Sequence, residues 1–312
     1  MKGNSQTKTR SPGLNRLLLL VSALLFSTGG VAIKGCGMTS WQIGGFRSGI
    51  AAVVMWVLLP EARRNWTGRS FAAGTAYAAM LISFVAANKL TTAANAVFLQ
   101  STAPFYMLFL GPLVLRERIR RADLVVFAAI AGGAGLLLYS SGQGAGTTPA
   151  SAFRNNLGNL IAALSGLAWA LTLTSLRWLG KHSGDGPGAS GSESHEAAAA
   201  AVIAGNLIAF AVCLPLALPV AGPSPRDLAS LGYLGIFQVG LAYVFLTRSI
   251  RHVPAFEAAT LLLAEPTFNP VWAWLFRGEK PGGLVLLGGA IIVLAAFFAS
   301  VRPAIRKSEA NS

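Results

Sequence analysis

The chain has 312 residues, of which 54% are hydrophobic and 12% charged, and its mean hydropathy is +0.58. Soluble domains carry about a quarter of their residues as charged side chains, so the composition excludes a soluble globular protein. The net charge of +14 does not indicate a nucleic-acid partner, because the basic residues lie in short segments between apolar runs rather than on a polar scaffold. The sequence therefore predicts an all-α polytopic membrane protein.

Apolar runs close to the ~20 residues that a helix needs to cross a bilayer predict ten transmembrane helices. They cover residues 15–34, 41–59, 70–88, 94–115, 122–140, 157–178, 197–219, 229–248, 256–276 and 282–300. The first run follows basic residues, as a secretory signal would. It has no convincing small-residue cleavage site and nine more runs follow it, so we interpret it as a retained helix.

Basic residues set the predicted orientation. Most of the 25 Lys and Arg residues fall in alternate connecting segments, on the same side as the N-terminus. Positive charge accumulates in cytoplasmic loops, so both termini are predicted to be cytoplasmic, in a plasma membrane of the bacterial inner-membrane type. The lipid bilayer is then one partner of the protein.

An internal repeat divides the chain. Ala96–Glu117 aligns without a gap with Ala258–Glu279, and Pro104 falls on Pro266. A weaker match relates the first and sixth predicted helices. The repeat predicts two five-helix units, residues 1–141 and 157–312, joined by an extracellular linker at 142–156. Because each unit has an odd number of helices, the second is inverted in the membrane. Inverted repeats are typical of secondary transporters, whose substrate site lies at the repeat interface.

The two matched prolines lie near the centres of the fourth and ninth predicted helices. Each removes a backbone N–H and frees a carbonyl four residues earlier, that of Gln100 or Leu262. Such a break is tolerated at membrane depth where protein or a water-filled cavity satisfies the backbone. A packing kink explains either proline alone, whereas their matched placement favours hinges at Pro104 and Pro266.

Glu265 is the candidate residue with the sharpest chemical implication. An ionised carboxylate in mid-membrane is costly and usually functional, so Glu265 is predicted to line a substrate site and could carry a coupling proton. The alternative is a hydrogen bond to a neighbouring helix that only holds the bundle together. Asn269 lies one turn further on the same helical face and is a second candidate.

Four further residues are candidates for substrate contact. Arg47 lies inside the second predicted helix, where it either contacts substrate or extends to the outer interface. Trp169 belongs to a polar and aromatic stripe that fits pocket lining or helix packing equally well. Gln100 and Tyr243 are weaker candidates of the same kind.

Patterns typical of enzymes are missing from the sequence. It contains no phosphate-binding GxxxxGK[ST] loop, no HExxH zinc helix and no GxSxG elbow. Cys36 and Cys213 are isolated and form no metal-ligand spacing. We therefore expect neither catalysis nor a cofactor or metal.

Two segments carry a family resemblance: ANAVFLQSTAPFYMLFLGPLVLRE at 94–117 and AFEAATLLLAEPTFNPVWAWLFRGEKP at 255–281. They resemble the paired EamA-type domains of the drug/metabolite transporter superfamily. The resemblance implies a ten-helix carrier of small metabolites, commonly amino acids or drugs and often moved outward, built from two inverted bundles around a central cavity. The first repeat departs from the pattern, because Ala103 occupies the position of Glu265.

The leading hypothesis is therefore a secondary transporter that exports small metabolites, amino acids or drug-like solutes, by alternating access, with proton coupling through Glu265 as a further step. The competing hypothesis is a membrane scaffold or an intramembrane enzyme. The sequence leaves the substrate, the coupling ion and the oligomeric state open.

Overall fold

The computed structural model describes residues 12–64, 66–115, 121–141, 148–182, 191–220, 222–249, 252–253, 258, 261–262 and 264–309. Within these residues the chain is almost entirely helical and contains no strand. Glu117 and residues 142–147 of the predicted linker lie outside the described residues. The prediction of an all-α fold is confirmed.

The helices follow the predicted apolar segments in chain order. Before the linker they are α1 (Pro12–Ser27), α2 (Gly29–Gly35), α3 (Ser40–Leu58), α4 (Gly68–Leu90), α5 (Ala93–Gln100), α6 (Ala103–Leu110) and α7 (Arg121–Ser141). After it they are α8 (Pro149–His182), α9 (Gly191–Ala217), α10 (Pro225–Tyr233), α11 (Ala242–Ser249), α12 (Ala264–Arg277) and α13 (Gly283–Glu309). A short 3₁₀ helix covers Pro60–Arg63, and π-helical turns cover Gly111–Leu115 and Leu234–Leu241.

The sixth predicted helix begins earlier than expected. It was predicted to start at residue 157, directly after the linker, whereas α8 begins at Pro149. Thr148 explains the early start, because its Oγ1 accepts a hydrogen bond from the Ser151 backbone N–H at 3.3 Å, which satisfies a free donor of the first turn. The first two turns of α8 are too polar to register as an apolar run.

Several predicted helices are interrupted. The first divides at Thr28 into α1 and α2, and the fourth divides at Ser101 and Thr102 into α5 and α6. The eighth is continuous but contains the π-helical turns Leu234–Leu241 between α10 and α11. π-helical turns inside an α-helix often occur at functional sites.

The surface of the bundle is that of a membrane protein. Among the described residues, seven helical segments are long and apolar enough to cross a bilayer, and Leu124–Ser140 and Gly283–Phe298 are shorter apolar helices. Large hydrophobic side chains are exposed on the surface of the bundle, including Leu113, Val125 and Phe276 at 70% exposure or more. Only a lipid environment accommodates so much exposed apolar surface, so the chain is a multi-pass membrane protein.

Helix pairs define the interior. α4 packs against α8 and α1 against α11, while α3 packs against α9 and α7 against α13. Glycines permit close approaches between α7 and α13 and between α4 and α9: a Cβ on Gly133 would lie 2.7 Å from the Gly288 carbonyl oxygen, and a Cβ on Gly205 would lie 2.7 Å from that of Gly74. Small residues at crossings are typical of membrane helices, whose association depends on close van der Waals contact.

Candidate functional site

The interruption of the first helix is the centre of a polar cluster. Glycine is a poor helix former, and Gly29 and Gly30 follow directly after Ser27 and Thr28. The Thr28 hydroxyl donates to the Leu25 carbonyl at 2.7 Å and lies 2.8 Å from the Tyr233 hydroxyl. These bonds compensate in part for the interrupted helical ladder and fix the break inside the bundle.

The two glycines bring side chains from other helices against the backbone of the break. A Cβ on Gly29 would lie 2.7 Å from Gln238 Nε2, and a Cβ on Gly30 would lie 2.8 Å from Asn269 Oδ1. Gln238 belongs to the π-helical turns and also donates to the Phe26 carbonyl at 3.5 Å. Polar groups from the eighth and ninth predicted helices therefore meet at adjacent residues of the first.

Arg47 lies in the same region and is only 1% exposed. Its Nη1 donates to Gln238 Oε1 at 3.4 Å and its Nη2 donates to the Leu81 carbonyl at 3.2 Å. Of the two interpretations of Arg47, extension to the outer interface is wrong, because the guanidinium is enclosed by α4 and the π-helical turns. The other interpretation, substrate contact, stays a prediction.

Asn269 is fully buried, yet neither its Nδ2 nor its Oδ1 has a hydrogen-bond partner among the described residues. The same holds for Asn206 Oδ1 and Arg47 Nε. Buried polar atoms are nearly always bonded to protein or ordered water, and each unmet atom costs about 1–3 kcal/mol. Water or a ligand could therefore bond to the unmet atoms of Asn269 and Arg47.

Glu265 lies one turn before Asn269 on α12 and is partly accessible. Its carboxylate makes no hydrogen bond or ion pair with another described residue. Tyr243 lies within electrostatic range of both Glu265 and Arg47, and its ring packs edge-on against Phe26 at 5.0 Å. Glu265 therefore lies in the same aromatic-lined region as Arg47. The alternative, a hydrogen bond from Glu265 to a neighbouring helix, does not occur among the described residues.

Trp169 is half-buried and packs against the cluster that contains Tyr243. Gln100 lies at the end of α5, where its Nε2 donates to Ser165 Oγ at 2.9 Å. Since Ser165 lies one helical turn before Trp169, Gln100 is connected to this region through α8. Of the six predicted contact residues, Gln100 is the least closely associated with the others.

The structure places the matched prolines in two helices. Pro104 is in the first turn of α6, directly after the break at Ser101 and Thr102, where proline fits because its missing N–H would have no helical partner. Pro266 is buried in α12, one residue after Glu265. Their role as hinges stays a prediction.

A second polar network joins helix ends at the side of the bundle opposite to the N-terminus. Lys34 at the end of α2 forms an ion pair with Glu279, with Nζ 3.0 Å from Oε1. The other oxygen of Glu279 accepts from the N–H of Ala93, the first residue of α5, at 3.1 Å. One carboxylate thus holds three predicted helices together, and we call these three residues the end latch.

Cys36 lies beside the end latch, where its carbonyl accepts from Lys89 Nζ at 2.5 Å. Burial raises the pKa of the Cys36 thiol, which lowers its reactivity because the thiolate is the nucleophile. Within the described residues, no group of three or more His, Cys, Asp or Glu side chains could hold a metal ion.

The arrangement defines a helical membrane protein with a polar interior, which is the class to which transporters belong. The family model of EamA-like transporters matches the chain twice, over residues 15–139 and 156–301. The chain belongs to the EamA-like transporter family and is a membrane transporter.

Curated relatives agree with this assignment. The chain is 25% identical over 287 residues to the pseudopaline exporter CntI of Pseudomonas aeruginosa in two strains, covering 89% of this chain and 93% of the relative. A solved crystal structure aligns with this chain with a TM-score of 0.57 and 19% identity, covering 94% of this chain and 98% of the other. The structural likeness concerns the fold alone.

Gln238, Asn206 and the two glycines of the break are not among the residues that the sequence predicted as substrate contacts. The pair Gly29–Gly30 within an apolar run was a usable signal, because glycine there weakens the helix. The proximity of Gln238 to Arg47 had no signal in the sequence, since the two residues are far apart along the chain.

Proposed function

We propose that this protein is a secondary transporter that exports small metabolites by alternating access. The observation that carries the proposal is the interrupted first helix, around which buried polar groups of Arg47, Gln238 and Asn269 gather in the interior. Discontinuous helices with unmet polar groups near the bilayer midplane form the substrate sites of many secondary transporters. Family membership supports transport rather than a scaffold or an intramembrane enzyme.

The helix packing supports two inverted five-helix repeats, residues 1–141 and 157–312. If the second repeat copies the first, each helix has a counterpart in the other repeat: α1 corresponds to α8, and α4 corresponds to α11. The pair α4–α8 is then the counterpart of the pair α11–α1. Both pairs are in close contact. The pairs α3 with α9 and α7 with α13 map onto themselves. The two matches of the family model divide the chain at the same place.

Outward transport is supported by the relative, which is an exporter. The bias of basic residues toward the side of the N-terminus supports cytoplasmic termini in a bacterial-type inner membrane. In that orientation the end latch faces outward. The substrate class is small metabolites, with amino acids and drug-like solutes as the first to test.

Proton coupling through Glu265 forms part of the proposal. The Glu265 carboxylate is partly accessible and lies within electrostatic range of Tyr243. A carboxyl group at membrane depth can alternate between protonated and ionised states as the site faces the two sides. Entry of a proton would then drive export.

Flux measurements test transport and coupling together. Proteoliposomes loaded with a mixture of amino acids are assayed for release by mass spectrometry, with and without a pH gradient. We expect wild-type protein to release at least one solute faster than protein-free liposomes do, and the gradient to accelerate that release. Glu265→Gln should lower the gradient-driven release about tenfold or more, because an amide cannot exchange a proton.

Glu61→Gln is the matched control, because Glu61 lies in the 3₁₀ helix at the end of α3, away from the polar cluster. Its flux should equal that of the wild type. Equal pH dependence in Glu265→Gln and wild type would contradict coupling. If no amino acid leaves faster than from protein-free liposomes, and a second load of drug-like solutes gives the same result, transport itself is contradicted.

A further inference from the structure

Arg47 is a buried cation without a matching anion among the described residues. Its guanidinium carries five N–H donors, yet its described hydrogen bonds reach only two neutral oxygens, of Gln238 and Leu81. Its Nε has no partner within the described residues. Burying a charge without an ionic partner is costly, so the fold maintains an unfavourable arrangement at this position.

The surroundings of Arg47 suit a ligand better than a structural role. The Gln238 side chain is held against Gly29, where a Cβ would collide with it at 2.7 Å, and its Oε1 faces the guanidinium. The fully buried Asn269 offers an unbonded amide at the next glycine. Two donors without acceptors, Arg47 Nε and Asn269 Nδ2, therefore accompany the Gln238 amide at the helix break, and unmet N–H donors are the chemistry that receives an oxyanion.

We propose that Arg47, with Gln238 and Asn269 beside it, binds an oxyanion group of the transported solute, either a carboxylate or a phosphate. Guanidinium binds both groups through paired N–H donors. Gln238 Nε2 and Asn269 Nδ2 would supply further donors, and the oxyanion would balance the Arg47 charge, whose described partners are neutral oxygens. This proposal rests on the proposed transport function and specifies the substrate class.

Gln238→Glu is the sharpest test, because it places a carboxylate beside the Arg47 guanidinium, where it pairs with the cation and competes with the solute's oxyanion. Without ligand, we expect its Tm in detergent to rise by about 2 °C or more as the buried charge gains a partner. The rise in Tm that anionic ligands cause in wild type should disappear in this variant. Gln42→Glu adds the same charge to a partly exposed residue of the first turn of α3 and should keep the response to anions.

Three probes identify the oxyanion by thermal shift of the purified protein: an equimolar mixture of amino acids, the same mixture as carboxamides, and inorganic phosphate. We expect either the amino acids or phosphate to raise the Tm of wild type, and the carboxamides not to do so, since only ligands bound by the folded state stabilise it. Arg47→Met should weaken the binding of whichever anion stabilises wild type by about tenfold or more. Arg63→Met, at the edge of the bundle, should leave that binding unchanged.

Three results would overturn the inference: carboxamides that stabilise as well as the acids, a Gln238→Glu protein that responds like wild type, or no response to either anion. Gln238→Glu keeps the test valid if Arg47→Met fails to fold. Flux measurements distinguish failure of the oxyanion inference from failure of the proposed transport function. A protein that transports only solutes without an oxyanion is a transporter whose substrate site differs from the proposed one.

Discussion

Gly205→Val is expected to destabilise the protein strongly, by about 1–3 kcal/mol, and to lower its Tm in detergent. α4 and α9 cross where Gly205 faces Gly74, and a Cβ on Gly205 would lie 2.6 Å from Tyr77 Cδ1 and 2.7 Å from the Gly74 carbonyl oxygen. The backbone of α4 cannot yield as a flexible side chain would, so the helices must separate. Tyr77, which packs edge-on against Tyr243, would shift with them.

Gly132→Val is the matched control, because a Cβ on Gly132 in α7 meets nothing within 4 Å. Valine there should be neutral or slightly stabilising, since glycine is the poorer helix former. The measurement is the thermal unfolding of both variants beside the wild type. A Tm of Gly205→Val that matches that of Gly132→Val would contradict the close crossing.

Hydropathy predicted the positions of the helices well, because a helix in lipid must present apolar side chains along its length. It failed where polar residues begin a helix, as at Pro149, and it gave no warning that the chain would break at Thr28. That break depends on contacts with Tyr233 and Gln238, which are distant in sequence. Local pattern therefore fixes which segments enter the membrane but not how each is interrupted.

The candidate site was predictable only in part. Glu265 and Arg47 stand out in any apolar segment because a charge there is costly, and both lie near Tyr243. The direction in which the Arg47 side chain extends was not predictable, since an arginine near a helix end can reach the interface or turn into the bundle. What decides it is the acceptor provided by Gln238, and only the folded bundle brings that acceptor into reach.

The end latch has a mechanical consequence for alternating access. In the proposed orientation, a solute leaves the protein only if the outer ends of α2, α5 and α12 separate. The Lys34–Glu279 ion pair and the bond from Ala93 N–H hold these ends together. Both side chains of the ion pair are partly exposed, and exposed pairs are worth only about 0–1 kcal/mol. The latch is therefore weak enough to open during each cycle.

A covalent bridge in place of this ion pair should stop transport. Lys34→Cys with Glu279→Cys, in a background where Cys36 and Cys213 are alanine, can be joined by a short bifunctional thiol reagent with a reducible link. We expect cross-linking to lower flux in proteoliposomes about tenfold or more, because alternating access requires the outer ends to part. A reductant should restore the flux.

Each single-cysteine variant treated with the same reagent provides the control, since it carries the modification without the bridge and should transport normally. Retained flux in fully cross-linked protein would show that these ends need not separate. If the single-cysteine variants lose flux as well, the modification itself interferes, and the loss cannot be assigned to the bridge. Full restoration by the reductant, together with normal flux in both controls, would identify the outer ends of α2 and α12 as a moving gate.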